Sequence, residues 1–208
     1  MSHIYDLVKC TIIGDCNVGK TSIINKFFNI SNKNNKKEND DKNCTIGAIY
    51  WSLSKMINDK KVKINLWDTA GQEKYNSLIP MYTRGCDILL LTFDLTDKKT
   101  FYNLIKWYNL CKSNLNIKYI IVGNKNDRKD FIQVTEEMIN DFISLNFKND
   151  IPFILTSAKT GENIDELFDI IFSSGEGVIN RRKIFYKPTN NYISLNDEPK
   201  TEKKYCCY

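Results

Sequence analysis

A glycine-containing loop near the start of the chain carries the first chemical signal. Residues 14–21 read Gly-Asp-Cys-Asn-Val-Gly-Lys-Thr, which fits the phosphate-loop spacing G-x-x-x-x-G-K-[ST]. Gly14 and Gly19 let backbone N–H groups approach phosphate oxygens. Lys20 can reach the β- and γ-phosphates, and the Thr21 hydroxyl can bind Mg²⁺. The motif predicts a triphosphate site with these contact residues: Asp15, Cys16, Asn17, Val18, Gly19, Lys20, Thr21 and Ser22.

A second segment follows an apolar strand pattern. Residues 64–72 read Ile-Asn-Leu-Trp-Asp-Thr-Ala-Gly-Gln. Asp68 can hold Mg²⁺ through water, because it ends a strand that should lie beside the phosphate loop. Gly71 lets a backbone N–H approach the γ-phosphate, and Gln72 can orient an attacking water molecule.

Two later segments predict recognition of a guanine base. Residues 124–127 read Asn-Lys-Asn-Asp, and residues 156–159 read Thr-Ser-Ala-Lys. The Asp127 carboxylate can accept from the ring N–H and the exocyclic amine of guanine, whereas adenine offers no such pair of donors. The Lys125 stem can cover one face of the base, and Asn124 can brace the neighbouring loops. The second segment offers a backbone N–H to the guanine carbonyl oxygen and another lysine stem, through Ser157, Ala158 and Lys159.

The elements that must position these loops alternate along the chain. Strands are predicted near 6–13, 49–57, 62–67, 87–93, 118–123 and 151–155, and helices near 20–29, 73–83, 98–115, 135–147 and 163–173. The turn at 58–60 predicts an antiparallel hairpin of the second and third strands. The remaining alternation predicts right-handed crossovers. We therefore expect an α/β fold with a six-stranded, mostly parallel sheet, one antiparallel hairpin strand and helices on both faces. Ligands of such sheets bind at the carboxyl ends of the strands.

Length and composition limit the organisation of the chain. The 208 residues predict one domain over 1–180 and a flexible tail over 181–208. An Asn- and Lys-rich insertion at about 29–43 has too little apolar area to offset its ordering entropy. The net charge of +5 is mild and its signs are interleaved, so we expect no nucleic-acid partner.

Cysteine usage indicates a reducing compartment. The chain has seven cysteines and one histidine, without a C-x-x-C pair, so a zinc site is not expected. Cys10, Cys86 and Cys111 lie in or beside apolar segments, where a free thiol behaves as a small hydrophobe. The longest apolar runs have the length of a strand rather than of a membrane-spanning helix.

Taken together, the four segments resemble the small Ras-like GTPases, and more closely the Rab family, over residues 5 to about 175. The Rab resemblance lies in residues 45–47, 67–73 and 82–85 and in the cysteine-terminated tail. Residues 75–82 are most similar to the early-endosomal Rab branch. The resemblance implies a P-loop GTPase domain that binds GTP or GDP with Mg²⁺. It also implies slow GTP hydrolysis that switches vesicle-mediated traffic between GDP-bound and GTP-bound states.

The resemblance also assigns roles to individual residues. It implies catalytic roles for Gln72 and Lys20, nucleotide contacts by Thr45 and Gly71, magnesium ligation by Thr21, Thr45 and Asp68, and effector contacts by Ile49, Tyr50, Trp67 and Tyr82. Cys206 and Cys207 match the Rab double-geranylgeranylation pattern. Two prenyl groups would anchor the tail, helped by basic residues Arg181, Arg182, Lys183, Lys187, Lys203 and Lys204.

Partners and location follow from the same resemblance. We expect a monomer that meets a guanine nucleotide exchange factor, a GTPase-activating protein, effector proteins, and a GDP-dissociation inhibitor or prenylation escort. We expect it on the cytoplasmic face of endosomal or other vesicle membranes, with a cytosolic pool.

The chain departs from the family pattern before its second strand. The segment leading to Thr45 is several residues longer than usual, and no aromatic residue lies between Phe28 and Tyr50. One face of the base would then be more exposed, which predicts faster nucleotide release than in a typical Rab. Ile49 stands where relatives carry an acidic residue, and Cys16 stands where Rabs commonly have serine.

Three other functions remain open from the sequence. An ATP-using P-loop enzyme such as a nucleotide kinase is disfavoured by residues 124–127, because Asp127 selects guanine. A GTP-binding scaffold with little turnover is disfavoured by the presence of Gln72 and Thr45. A Ras- or Rho-type signalling switch is disfavoured by the double-cysteine tail.

Overall fold

A computed structural model describes residues 7–31, 48–71, 77–111, 117–147 and 151–185. The strands are β1 (Leu7–Ile13), β2 (Ala48–Ile57), β3 (Lys60–Thr69), β4 (Ile88–Asp94), β5 (Lys118–Asn124) and β6 (Phe153–Leu155). The helices are α1 (Lys20–Ser31), α2 (Ile79–Thr83), α3 (Lys98–Tyr102), α4 (Leu104–Cys111), α5 (Glu136–Asn146) and α6 (Ile164–Phe185), with a 3₁₀ turn at Lys129–Phe131.

The strands form one six-stranded sheet in the order β2-β3-β1-β4-β5-β6. Only β2 and β3 pair antiparallel, and the other pairs are parallel. Every residue of β4 is buried, as expected for a central parallel strand covered on both faces. The predicted architecture is therefore confirmed.

Two apolar cores lie on opposite faces of this sheet. One core joins the sheet to α1 and α6, and Phe168 of α6 is stacked on Phe27 of α1. The other joins the sheet to α3, α4 and α5 through buried side chains such as Phe101 and Trp107. Each fully buried side chain of this size contributes about 1.5–3 kcal/mol. The helices therefore hold the strand ends, and the loops that leave them, in fixed positions.

The prediction of one continuous helix over 98–115 is wrong. The helix is divided at Asn103 into α3 and α4, while residues 112–116 lie outside the described chain. The Asp97 side chain caps α3 by accepting from the Lys99 N–H. Apolar periodicity continues across the division, so the sequence pattern alone gave no sign of it.

The last helix is longer than predicted. Helix α6 continues to Phe185, so residues 181–185 are helical rather than part of a flexible tail. Gly175 weakens the helical pattern, but its missing Cβ allows close packing, because an added Cβ would lie 3.3 Å from Val62 Cγ1. Val178 and Ile179 are buried in the same core. Tertiary packing thus outweighs the local propensity.

Part of the predicted insertion is also helical, because α1 continues to Ser31. The rest of that insertion and residues 186–208 of the tail lie outside the described residues. Of the helices in the described ranges, none is both long and apolar enough to span a bilayer.

Candidate nucleotide site

The phosphate loop, residues 14–19, requires glycine at both of its ends. Gly14 and Gly19 have φ values of +150° and +96°, which disfavour other residues. A Cβ at Gly14 would overlap the Thr92 carbonyl oxygen, and one at Gly19 would overlap the Asn124 side chain. The loop backbone is therefore pressed against β4 and against the carboxyl end of β5.

Lys20 points back across this loop. Its Nζ donates to the carbonyl oxygens of Gly14 (2.9 Å) and Asp15 (2.7 Å), and the residue is 6% exposed. Gly71, which follows β3, closes on the same point, because a Cβ there would overlap both Asp15 O and Lys20 Nζ. A cation and the Gly71 backbone thus converge at the mouth of the loop.

The side chains of Thr21 and Asp68 form a paired oxygen site beside this lysine. Thr21 Oγ1 donates to Asp68 Oδ2 at 2.6 Å. Asp68 is fully buried, and its Oδ1 has no hydrogen-bond partner among the described residues. Burial raises the pKa of the Asp68 carboxyl, while the Thr21 hydroxyl and the Lys20 charge lower it.

These two residues fit a magnesium ion. Mg²⁺ prefers oxygen ligands and usually keeps several waters, binding through one or two carboxylates together with substrate phosphates. The unpartnered Asp68 Oδ1 is an acceptor that a cation or its water would satisfy. Thr45, the third predicted ligand, lies outside the described residues.

Asn124 connects the phosphate loop to the predicted base loop. The residue is 2% exposed, and its Nδ2 donates to the Val18 carbonyl oxygen at 2.8 Å. Its Oδ1 accepts from the Ala158 N–H at 3.1 Å. One buried amide therefore fixes the loops that follow β1, β5 and β6 relative to one another.

The predicted base-reading residues lie at the carboxyl ends of β5 and β6. Asp127 Oδ1 accepts from Ser157 Oγ at 2.6 Å, and its Oδ2 lies 3.9 Å from Lys159 Nζ. The structure therefore brings Asp127, Ser157 and Lys159 together around one carboxylate. A carboxylate held this way can accept from two adjacent donors of a purine.

Lys125 has a partner that sequence reasoning missed. Its Nζ lies 2.6 Å from Asp94 Oδ2, at the carboxyl end of β4, and its φ of +69° turns the backbone at this point. Burial raises the pKa of Asp94, but hydrogen bonds from Lys125 and Thr96 lower it more, so the pKa of this carboxyl lies below its ordinary value. An acidic residue at a strand end was the only available signal for this pair.

The side chain of Asp15, a residue of the phosphate loop, is held by two residues outside that loop. Its Oδ2 accepts from Asn103 Nδ2 at 2.7 Å, and its Oδ1 accepts from Trp107 Nε1 at 2.7 Å. Neither Asn103 nor Trp107 belongs to a recognisable motif, so no pattern in the sequence indicated these two contacts. The division between α3 and α4 thus lies where the helix bonds to the phosphate loop.

The predicted effector aromatics form one cluster at the surface. The ring centroids of Tyr50 and Trp67 are 5.3 Å apart, and those of Trp67 and Tyr82 are 5.8 Å apart. Tyr50 is 48% exposed, so the cluster is accessible rather than part of a core. Ile49 is also exposed but, as the next residue along β2, points to the other face of the sheet.

Two aromatics near the site are engaged in the core. Phe27 stacks on Phe168 with centroids 3.7 Å apart, and Phe28 stacks on Trp51 at 4.7 Å. Both rings are thus engaged by other aromatic side chains, and the exposure of one base face stays a prediction. The three predicted buried thiols are also packed: Cys10, Cys86 and Cys111 are buried and free. Burial raises the pKa of Cys86 and of Cys111 to about 11.

Four predicted functional residues cannot be placed. Gln72, Thr45, Cys206 and Cys207 lie outside the described residues, so their roles stay predictions. The remaining predicted nucleotide contacts converge at one end of the sheet.

Comparisons with known proteins agree with this geometry. A family model described as the Ras family matches residues 9–175. Ras-related protein Rab-7a of Dictyostelium discoideum is 33% identical over 211 residues, which cover 97% of this chain and 97% of that protein. Ras-related protein RABF2b of Arabidopsis thaliana is 36% identical over 162 residues, covering 77% and 76%. Ypt/Rab-type GTPase Rab7 of Gibberella zeae is 34% identical over 174 residues, covering 79% and 80%.

The Ras-family match includes the phosphate loop, the β3 end and both base loops, and the Rab-7a match covers nearly the whole chain. The chain therefore belongs to the Rab group of the Ras family, the small GTPases that act as switches in vesicle traffic.

Proposed function

We propose that this chain binds GDP and GTP in the site around Lys20 and Asn124, and that GTP hydrolysis ends its active state. The observation that carries the proposal is the Asn124 bridge, with 2.8 Å to Val18 O and 3.1 Å to Ala158 N. Because one buried side chain joins the phosphate loop to the base loops, a triphosphate and a guanine would be held as parts of one ligand.

The phosphate end of the site is set up for charge neutralisation. Lys20 is held over the loop by two carbonyl oxygens, so its ammonium is aimed without having to be ordered on binding. Gly71 approaches the same point, where its backbone N–H can donate to a terminal phosphate oxygen. Phosphoryl transfer depends mainly on positioning and electrostatic stabilisation, which these groups supply.

The metal position is assigned to Thr21 and Asp68, with Thr45 as a further ligand. When bound there, Mg²⁺ would neutralise charge on the β- and γ-phosphates. Thr21 and Asp68 hold each other at 2.6 Å, which fixes both oxygens before any ligand arrives. Asp68 is buried, so the site excludes bulk water behind it.

Hydrolysis is assigned to water aligned by Gln72. No arginine of the described residues lies at the mouth of the phosphate loop, so we expect a slow intrinsic rate and acceleration by a GTPase-activating protein. Loss of the γ-phosphate would release the segments that carry Thr45 and Gly71. This release is the switch that effectors would read at Tyr50, Trp67 and Tyr82.

Membrane attachment is assigned to Cys206 and Cys207, each carrying a geranylgeranyl group. A prenyl chain contributes about 0.8 kcal/mol for each buried CH₂, and two chains anchor stably where one does not. A GDP-dissociation inhibitor or prenylation escort would handle these lipids, and an exchange factor would load GTP. We place the active protein on the cytoplasmic face of vesicle membranes, with endosomes as the specific proposal.

The proposed catalytic role is tested by Gln72→Leu, with Gln133→Leu as the matched control. Gln133 is exposed in the loop before α5, where its Oε1 accepts from the Lys98 N–H. We expect Gln72→Leu to slow single-turnover GTP hydrolysis by about tenfold or more, since a positioned group is lost. The affinity for GDP should stay nearly unchanged, and Gln133→Leu should behave as the unmodified chain. Unaltered hydrolysis in Gln72→Leu would refute the role.

A further inference from the structure

One region of the sheet has no helix over it in the described part of the chain. Side chains along β2 and β3 alternate between the two faces of the sheet: one set is packed against α1 and α6, and the other, outer set lies on the opposite face. Near the carboxyl end of β3 this outer set includes Trp67, which contacts Tyr82 of α2. Farther from the nucleotide site, the set is exposed: Ser52, Ser54, Met56, Lys61 and Lys63.

The exposed half of this face combines basic and apolar side chains. Lys61 is paired in register with Met56, and Lys63 lies between Ser54 of β2 and Leu7 of β1. Met56 is 61% exposed and Leu7 is 39% exposed. No Asp or Glu occupies the positions of β2 and β3 that share this face. We call Leu7, Met56, Lys61 and Lys63 the basic strand face.

The position of this face in the fold is fixed by α6. Arg182 donates to the Leu7 carbonyl oxygen at 2.7 Å and pairs with Asp87, which also accepts from the Lys9 N–H. The end of α6 therefore lies where β1 and β4 begin. The nucleotide site lies at the carboxyl ends of the same parallel strands, which is the opposite end of the sheet. The last described helix thus ends near Leu7, which belongs to the basic strand face.

From this arrangement we propose that the basic strand face contacts an anionic bilayer surface. The proposal rests on the proposed function only for the lipid anchor that brings the domain there. Lysines on a strand face without Asp or Glu at its β2 and β3 positions are attracted to anionic headgroups. Exposed methionine and leucine side chains can enter the boundary between headgroups and acyl chains and so add to bilayer binding. They would add nothing to the binding of a purely electrostatic partner such as nucleic acid. The contact would be made at the end of the sheet opposite the nucleotide site.

Charge reversal on this face provides the test. The full chain without lipid modification is sedimented with phosphatidylcholine vesicles that contain or lack phosphatidylserine, and the variant is Lys61→Glu with Lys63→Glu. The matched control is Lys98→Glu with Lys99→Glu, an equal charge change on exposed lysines that begin α3 at the nucleotide end. All proteins keep the same basic tail. Each lysine near an anionic surface changes binding by about fivefold, so the double reversal should weaken it by about tenfold or more.

We expect the control to bind phosphatidylserine vesicles nearly as well as the unmodified chain, and no protein to bind phosphatidylcholine alone. Met56→Ser should weaken binding further in the Lys61→Gln, Lys63→Gln background, which also covers a failure of the Glu variant to fold. Equal loss in variant and control would overturn the proposal, because the tail and the net charge would then explain binding. The proposal would also be overturned if the Lys61→Glu, Lys63→Glu variant lost binding to a mixed RNA probe but kept its binding to vesicles.

The same preparations separate this inference from the proposed function. Nucleotide extracted from each protein reports whether the Lys20 site works, and it should be the same in variant and control. A chain that retains nucleotide but shows no effect of Lys61 and Lys63 refutes only the membrane contact. A chain without nucleotide refutes the proposed function, whatever its vesicle binding.

Discussion

Removing the indole N–H of Trp107 should loosen the phosphate loop. Trp107 Nε1 donates to Asp15 Oδ1, and the Asp15 backbone oxygen accepts from Lys20 Nζ. Helix α4 therefore holds the residue that orients the phosphate-binding lysine. In Trp107→Phe the ring and most of its packing remain, but the N–H is lost. The Asp15 carboxylate then keeps the bond from Asn103 Nδ2, at the division between α3 and α4.

The magnitude follows from the type of bond. A hydrogen bond to a charged group contributes about 1.5–3 kcal/mol. If about 1.4 kcal/mol of this free energy stabilises the nucleotide-bound conformation of the loop, its loss should make GDP release about tenfold faster. For a domain of this size each kcal/mol lowers the melting temperature by about 2–4 °C, so a fall of about 3–12 °C is expected. The smaller ring also leaves a cavity, since Trp107 is buried, so the bond must be isolated from packing.

A double-mutant cycle makes that separation. Release of a fluorescent GDP analogue is measured for Trp107→Phe, for Asp15→Ala and for the double variant. If the bond carries the effect, the double variant should release GDP little faster than the faster single variant, because both changes remove the same interaction.

The matched control is Trp51→Phe, since Trp51 Nε1 is buried without a hydrogen-bond partner among the described residues. Its ring stacks on Phe28, as a phenyl ring also can. We expect release from this variant to change less than twofold. Independent, multiplying effects of Trp107→Phe and Asp15→Ala on release would refute the coupling.

Three further predictions concern other contacts. Gly71→Ala should weaken GTP binding by about tenfold or more, because the added Cβ would overlap Asp15 O and Lys20 Nζ. Overpacking of this kind costs about 1–3 kcal/mol. Titration calorimetry measures the affinity, and an unchanged value would contradict the close approach of Gly71 to the phosphate loop. Asp94→Asn should lower the free energy of unfolding at neutral pH. Since folding lowers the pKa of Asp94, the difference from the unmodified chain should hold above about pH 5 and shrink below about pH 4, as urea titrations would show. Arg182→Ala should lower the free energy of unfolding by about 1–2 kcal/mol, because it removes the bonds to Leu7 O and Asp87. GDP release should not change, since these bonds lie far from the nucleotide site. Faster GDP release from this variant would contradict the independence of the two ends of the sheet.

Much of the fold follows from local patterns in the sequence. Apolar strand runs and the 58–60 turn predict the six strands and the single antiparallel pair, and the sheet confirms them. The phosphate loop and the base loops can be predicted from the types and spacing of their residues, since only particular residues suit contact with phosphate or guanine. Their placement at the carboxyl ends of the strands follows from the topology.

What the sequence did not predict depends on distant parts of the chain. The division at Asn103 and the anchor at Trp107 both involve Asp15, about ninety residues earlier, and no periodicity encodes such a pairing. The extension of α6 has the same origin. Two glycines argue against a helix at 175–177, but packing on β1 and β3 compensates for them.

The most direct test of the account is nucleotide competition on the purified chain. Bound fluorescent GDP is challenged with GTP and with ATP in the presence of Mg²⁺, for the unmodified chain and for Asp127→Ala, with Asp130→Ala as the control. We expect GTP to displace the probe at concentrations at least a thousandfold below those that ATP requires, since unpaired polar groups in a site reject the wrong base strongly (about 10⁴-fold). Asp127→Ala should lose this preference and Asp130→Ala should keep it. Equal displacement by GTP and ATP from the unmodified chain would contradict the claim that Asp127 selects guanine.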